Sequence, residues 1–388
     1  MEKAKKEKPK ILIFSLAYAP FVGGAELAVK EITDRIGEFE YDLITKKFDH
    51  RLPSFEKIGN VNVHRIRSPK LLFPFLAYLR GKVMHKEKKY SMVWSIMANR
   101  AGYAALFFKR KFPEVKFLLT LQEGDTLDHP RKRAGLLWIF VGRLFKKIFT
   151  EADCVQVISG YLARWAKNMR VSGGKIIIVP NGVDMEKFKF SERGKKTDDV
   201  TVITTSRLVR KNGLDILIKA IAEISRSGSG MKIKCLILGN GPEERNLKDL
   251  AKSLSVKDKV EFLGHVDPAL LPGYLGMADI FARPSRSEGL GSSFLEAMSV
   301  GLPVIGTRVG GIVDFIKDPS EAGADMATGV FAESENPSNL ADKIKMLVRN
   351  KDLADNISRN GRWLITQNYS WDIVADKMRA IFSKICHN

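Results

Sequence analysis

Short aliphatic runs alternate with longer helical patterns from one end of this chain to the other, and the series occurs twice. That repetition leaves few folds open. A strand that reads as an unbroken apolar run is buried on both faces, the condition of a parallel sheet with helices on either side. In the first half the runs at 10–15, 41–45, 61–66, 92–96, 116–121, 154–158 and 176–179 read as strands; in the second half those at 200–204, 233–238, 260–263, 280–283 and 303–305 do. Between the series lies a polar stretch, 184–199, which includes Ser191-Glu192-Arg193-Gly194-Lys195-Lys196 and reads as a hinge. There is no internal repeat of solenoid period. The expected architecture is α/β, with two doubly wound Rossmann-like domains facing each other across a cleft, divided as 1–190 and 191–370. Ligands in such sheets collect beyond the carboxyl ends of the strands.

Two domains also suit the length, since 388 residues exceed what one hydrophobic core organises. With 45% apolar and 28% charged residues the chain has enough to build cores and is not a disordered composition. No run is long and apolar enough to span a bilayer. Lys and Arg number 64 against 44 Asp and Glu, a formal +20 that serves solubility or else suits an anionic partner: nucleic acid, a phosphorylated substrate or an anionic membrane. A nucleic-acid binder would interleave base-stacking aromatics with its cations or carry a reading module, and neither is present. Cys154, Cys235 and Cys386 are far apart and lack metal-ligand spacing, as expected of buried thiols in the reducing cytoplasm. The lysine-rich start followed by the apolar run 11–16 and Ala17-Tyr18-Ala19 imitates a signal peptide, but the run is short and leads into Gly23-Gly24-Ala25-Glu26, the loop a first buried strand needs.

Three segments carry chemistry. After the run 200–204 comes Ser206-Arg207-Leu208-Val209-Arg210-Lys211-Asn212-Gly213, where Arg207 offers a planar donor fork for phosphate oxygens and Lys211 a mobile point charge ahead of a helix N-terminus. A solvated basic loop would read the same way. Leu238-Gly239-Asn240-Gly241-Pro242 is a second loop after a buried run, in which Gly239 lets the backbone approach a ligand; with Glu244 where a third glycine belongs, it is not the dinucleotide fingerprint and is equally compatible with a tight turn. The third segment runs from Pro284 to Met298. Gly289, Leu290, Gly291, Ser292 and Ser293 place backbone amides at a helix start suited to a diphosphate, with Glu288 and Glu296 on either side to accept from sugar hydroxyls. Ser293 with Glu296 also has the spacing of a capping box, and Glu288 reads equally as a surface loop acid.

Taken together the segments resemble the retaining glycosyltransferases of the GT-B fold, family 4. The resemblance spans nearly the whole chain. It rests on Gly23-Gly24-Ala25-Glu26, Val179-Pro180-Asn181-Gly182-Val183-Asp184 with Phe188, Arg207 and Lys211, Phe262-Leu263-Gly264, the Glu288 to Glu296 segment, Gly301-Leu302-Pro303-Val304-Ile305, Gly310-Gly311 and Tyr369-Ser370-Trp371. It implies that Arg207 and Lys211 neutralise the diphosphate of a nucleotide-sugar donor, that Glu296 binds the ribose and that Glu288 contacts the transferred sugar. Gly264 and Leu290 would lie near the base and sugar. Gly23 and Gly24 would line the cleft from the other domain, and residues 371–388 would form a helix returning to that domain. It further implies front-face attack with retention, a glycan or lipid-linked acceptor in cell-envelope or exopolysaccharide synthesis, and no cofactor or metal, in keeping with the lack of an Asp-x-Asp pair. A sugar-nucleotide epimerase of the same fold and a non-catalytic nucleotide-sugar or anionic-surface binder are the alternatives. Similar enzymes usually carry a histidine after the run 116–121, where this chain has Gln122-Glu123-Gly124-Asp125. Asp125 takes the catalytic assignment there, with His129 and Gln122 as substitutes and a helix-capping aspartate as the structural reading.

The segment 131–147 holds Arg131-Lys132-Arg133, Arg143, Lys146 and Lys147, with Leu144, Phe145 and Ile148 beside the later cations. This is the pattern of a helix resting on anionic headgroups at the cytoplasmic membrane face, and also that of a core helix with a charged outer side. Residues 71–79, followed by Arg80, Lys82, Lys86, Lys88 and Lys89, extend the same patch.

Overall fold

A computed structural model describes residues 7–21, 23–122, 124, 131, 135, 138–190, 199–228 and 230–387. The chain divides into two compact units, one of Met1–Asn181 with Trp371–Asn388 and the other of Gly182–Ser370.

In the first unit the elements run β1 (Lys10–Phe14), α1 (Gly24–Arg35), β2 (Glu40–Lys46), β3 (Phe55–Ile58), β4 (Val61–Ile66), α2 (Phe73–Lys88), β5 (Met92–Ile96), α3 (Arg100–Lys111), β6 (Lys116–Leu121), α4 (Trp138–Thr150), β7 (Cys154–Val157), α5 (Gly160–Asn168) and β8 (Ile176–Ile178). The second unit follows with β9 (Asp199–Thr205), α6 (Leu214–Arg226), β10 (Lys232–Leu238), α7 (Glu244–Ser253), β11 (Val260–Gly264), α8 (Leu271–Gly276), β12 (Ile280–Ala282), α9 (Ser292–Ser299), β13 (Val304–Thr307), α10 (Pro319–Ala322), β14 (Val330–Ala332), α11 (Pro337–Arg349) and α12 (Lys351–Asn368). The last helix, α13 (Trp371–His387), groups with the first unit.

The first sheet has the order β3-β4-β2-β1-β5-β6-β7-β8 and is parallel except for β3, which runs against β4. The second has the order β11-β10-β9-β12-β13-β14, parallel throughout. The apolar run near the N-terminus is therefore a buried central strand, β1. Two strands lie outside the expected runs: β3, a half-exposed edge, and β14, a buried apolar run of only three residues. The division between units falls at Asn181 and Gly182, earlier than the expected 190/191. The reason is local: residues 183–188 are bound into the second unit, Val183 bridging to Ser370 and the Phe188 carbonyl accepting from Ser299 Oγ at 2.9 Å. Residues 191–198 of the expected hinge lie outside the described residues.

Helix α13 earns its place by aromatic packing. Phe382 meets Trp94 of β5 with ring centroids 5.1 Å apart and Phe39 at 5.7 Å, burying three large rings in edge-on contacts. In the second sheet the strand order reverses between β9 and its two neighbours, β10 and β12, so the loops after β9 and β12 leave the sheet side by side. That is the position where doubly wound sheets bind ligands.

Candidate functional site

The loop after β9 is shaped by backbone contacts. Leu208 N donates to the Asn240 carbonyl at 2.9 Å, and Asn212 Nδ2 donates to the Arg207 carbonyl at 2.7 Å. The loop closes at Gly213, whose φ of 69° starts α6 and which lies so close to the Pro284 carbonyl oxygen that a Cβ there would collide with it. The loops after β9 and β12 are thus in direct contact. Arg207 is exposed and Lys211 half-buried on this loop.

Gly239 and Gly241 prove to serve the protein's own backbone. A Cβ on Gly239 would strike the Ser206 carbonyl, and one on Gly241 the Leu208 carbonyl. The close approach these glycines permit is between the loops after β9 and β10. Gly264, at φ 68°, has open space where its Cβ would be.

The loop after β12 is held from several sides. Arg286 donates through Nη1 and Nη2 to both oxygens of Asp215, at 2.7 and 2.9 Å, bonds Glu335 and the Arg210 carbonyl, and its amide donates to the Lys211 carbonyl at 2.7 Å. These carboxylates raise the Arg286 pKa above its ordinary value, so the fork stays charged. Gly310, at φ 57°, presses on the Glu288 carbonyl where any side chain would collide.

At the centre sits Arg283, a residue the sequence reading did not single out. It is 5% exposed, and its guanidinium donates to Ser293 Oγ at 2.6 Å, Glu288 Oε2 at 2.6 Å, Ser285 Oγ at 3.1 Å and the Thr205 carbonyl at 3.3 Å, with the Phe294 ring 4.8 Å beneath. A buried guanidinium is tolerated only when its donors are satisfied. The signal was available: an arginine directly at the end of the buried run 280–282 has to find such partners.

Through Arg283 the structure brings Glu288 and Ser293 together, and it overturns the capping-box alternative. Helix α9 starts at Ser292 with Gly291, at φ 97°, as its N-cap and no side-chain cap; Ser293 Oγ is engaged by Arg283. The first amides of the helix are therefore not satisfied by a side chain from within and point their partial positive charge off its end. One turn on, Glu296 is half-buried with no hydrogen bond to its carboxyl among the described residues. Desolvation pushes its pKa up to about 7, against the opposing pull of Lys187 and Arg283, which places Lys187 near it as well. The site thus has a cationic loop, an uncapped helix start, an anchored carboxylate and an unengaged one, all within the second unit.

In the first unit Gly23 is the N-cap of α1 and donates its amide to Glu26 Oε2 at 2.9 Å, while the space at Gly24 is open. Gln122 accepts from Asn181 Nδ2 at 3.0 Å. Asp125 and His129 lie outside the described residues, as do Lys132 and Arg133. The described part of the 131–147 segment corrects one expectation: in α4, Arg143, Lys146 and Lys147 are exposed, but Phe145 and Ile148 are buried, Ile148 against Gly102 of α3. Among the described apolar residues of that helix, Phe145 and Ile148 are spent on the core, while Val141 is exposed and Leu144 half-buried. Among the described residues no helix is long and apolar enough to cross one.

Two family profiles match the chain: Glycosyltransferase Family 4 over residues 22–187 and Glycosyl transferases group 1 over residues 185–363. A GDP-mannose-dependent alpha-(1-6)-phosphatidylinositol monomannoside mannosyltransferase of Mycobacterium tuberculosis is 29% identical over 250 residues, covering 61% of this chain and 63% of that protein, so the match spans less than two thirds of that relative's length. An uncharacterized glycosyltransferase of Methanocaldococcus jannaschii is 25% identical over 97% of this chain and 98% of its own. Among solved structures, sucrose-phosphate synthase from Thermosynechococcus elongatus superposes with a TM-score of 0.83 at 20% identity, covering 97% of this chain and 99% of that one. Anabaena HepE in complex with UDP-glucose does so at 0.75 and 18% identity, covering 97% and 99%. These likenesses establish the shared fold.

Proposed function

Because the chain belongs to the family 4 glycosyltransferases of GT-B fold, we propose that it is a metal-independent, retaining hexosyltransferase that moves a sugar from a nucleoside diphosphate to a glycan or lipid-linked acceptor in envelope or exopolysaccharide synthesis. The observation that carries this reading is the pairing of an uncapped α9 start with the unengaged carboxyl of Glu296 one turn later. The first suits an anion and the second a pair of hydroxyl donors, and a nucleoside diphosphate presents both.

In this reading Arg207, Lys211 and the α9 amides take up charge as the bond from the anomeric carbon to the diphosphate oxygen breaks. Preorganised donors of this kind are worth about 3 kcal/mol each in a transition state. The departing oxygen accepts the acceptor's proton, and the acceptor oxygen bonds to the same face of the sugar, so no protein nucleophile is consumed. Glu288, anchored by Arg283, orients the sugar, and Asp125 orients the acceptor. The names of the relatives include both GDP-mannose and UDP-glucose, so both bases are tested. A lipid-linked acceptor entails peripheral contact with an anionic membrane, to which the exposed Arg143, Lys146 and Lys147 supply charge.

The test is turnover of UDP-, GDP-, ADP- and dTDP-hexoses with lipid-linked acceptors in chelator, with the product's anomeric configuration read by NMR. Retention without metal is expected. An inverted product, or activity lost in chelator, would sink the mechanism; an epimerised donor formed without acceptor would establish the epimerase instead.

A further inference from the structure

Helix α2 carries an outward stripe of apolar residues besides the apolar face it buries. Leu71 and Leu72 ahead of it and Phe75, Leu79 and Val83 within it are 82%, 53%, 54%, 36% and 51% exposed. At 3.6 residues per turn, Leu72, Phe75, Leu79 and Val83 fall on one stripe, and Lys82 and Lys86 share that stripe. Other cations, Lys70, Arg80 and Lys89, surround it, and the helix contains a single acid, Glu87.

The rotation of α2 is locked. On the opposite side Phe73, Ala77, Gly81, Met84 and His85 are buried, and Gly81 packs so tightly that a Cβ would reach Leu12 and Phe14 at 3.0 Å. Lys88 reaches inward to Asp42 at 2.7 Å and so leaves the expected surface patch. The apolar stripe therefore cannot roll into the core.

From this we infer that the outer face of α2 is the surface by which the chain docks on an anionic lipid bilayer, with Phe75, Leu79 and Val83 entering the headgroup boundary and Lys82 and Lys86 meeting lipid phosphates. Charge complementarity selects this occupant: apolar residues interleaved with lysines suit a surface that is anionic outside and apolar just beneath. The inference rests on the membrane contact proposed above but not on the transfer reaction, and it places an apolar anchor on α2.

The experiment is co-sedimentation of the full chain with phosphatidylcholine vesicles, with and without phosphatidylglycerol. Wild type is expected to bind only the anionic vesicles. Phe75→Gln with Leu79→Gln should lower the partition coefficient at least about tenfold, and Lys82→Gln with Lys86→Gln should weaken binding and flatten its salt dependence. All these positions lie on the outer stripe, so the variants keep their folded circular dichroism. If wild type binds and the α2 variants bind equally while Arg143→Gln, Lys146→Gln, Lys147→Gln does not, the α2 assignment falls and the general membrane reading stands. If wild type binds no anionic vesicle, both fall. A wild-type dimer in sedimentation velocity that the Phe75 and Leu79 changes dissociate would make this face a self-association surface and overturn the proposal.

Discussion

The loops after β9 and β12 and the outer face of α2 each break the ordinary sorting of polar from apolar groups, in opposite senses. In the second unit charge is buried: Arg283 and Glu288 form an ion pair with little solvent contact, and Glu296 is desolvated with no hydrogen bond to its carboxyl among the described residues. In the first unit apolar surface is exposed along α2. The contrast separates two kinds of function. Buried charge is expensive and is kept only where fixed geometry is needed, as for a small polar ligand. Exposed apolar surface fixes no geometry and suits a partner without defined shape, such as a bilayer.

If that separation holds, each region should fail alone. The largest effect is expected from Arg283→Met, which leaves Glu288 without its partner; urea unfolding should show a loss of about 3–5 kcal/mol, with vesicle binding unchanged. A loss below about 1 kcal/mol would mean that water replaces the arginine and that the pair organises nothing.

Next in size is the ligand-dependent term. A nucleoside diphosphate at about a hundred times its dissociation constant adds roughly 2.7 kcal/mol, which raises the melting temperature by several degrees. Arg207→Ala with Lys211→Ala should abolish this stabilisation and leave the melting temperature of the free protein within about a degree of wild type. Persistence of the stabilisation would remove the phosphate role from that loop.

The pH dependence of binding is smaller and has a definite sign. With its pKa near 7, Glu296 is mostly protonated at pH 6 and mostly ionised at pH 8. Ribose hydroxyls donate best to the ionised form, so nucleotide affinity measured by calorimetry should rise up to roughly tenfold across that interval. Glu296→Gln should flatten the profile. In the free protein the linkage runs the other way: the raised pKa favours the folded state while Glu296 is protonated, and that contribution is lost as pH rises from the ordinary carboxylate range through about 7. An affinity that falls with pH would exclude the ribose role.

The smallest effect belongs to the first unit. Gln122→Ala removes the acceptor of Asn181 and should cost about 1 kcal/mol of stability without altering nucleotide stabilisation. A change in turnover with acceptor, at constant nucleotide affinity, would instead place Gln122 in the reaction.

Much of the fold was legible because its signals are local. A strand buried on both faces has to be an apolar run, and the runs 10–15, 92–96 and 233–238 announce their strands without reference to anything else. β3 was missed because an exposed edge strand has no such requirement. The same locality made the loops after β9 and β12 stand out, since glycines, cations and carboxylates at strand ends are unusual wherever they occur.

Roles within those loops depended on contacts that sequence spacing does not encode. Gly239 suits a ligand loop or a tight turn equally by its place after a buried run, and what lies against it is the Ser206 carbonyl, 33 positions earlier in the chain. Ser293 and Glu296 have capping-box spacing, but Arg283, already buried, draws the serine hydroxyl away. The two basic helical segments looked alike on the page. α4 and α2 differ because rotation about a helix axis is set by whatever packs beneath: Gly102 receives Ile148, while Gly81 against Leu12 and Phe14 and Lys88 against Asp42 turn Phe75 and Leu79 outward. The sequence by itself determined which residues would be strands and which loops would hold polar chemistry, because burial and backbone freedom act residue by residue. Which of those groups partner each other, and which apolar faces are left uncovered, was decided only when the chain closed on itself, because those contacts join positions far apart along it.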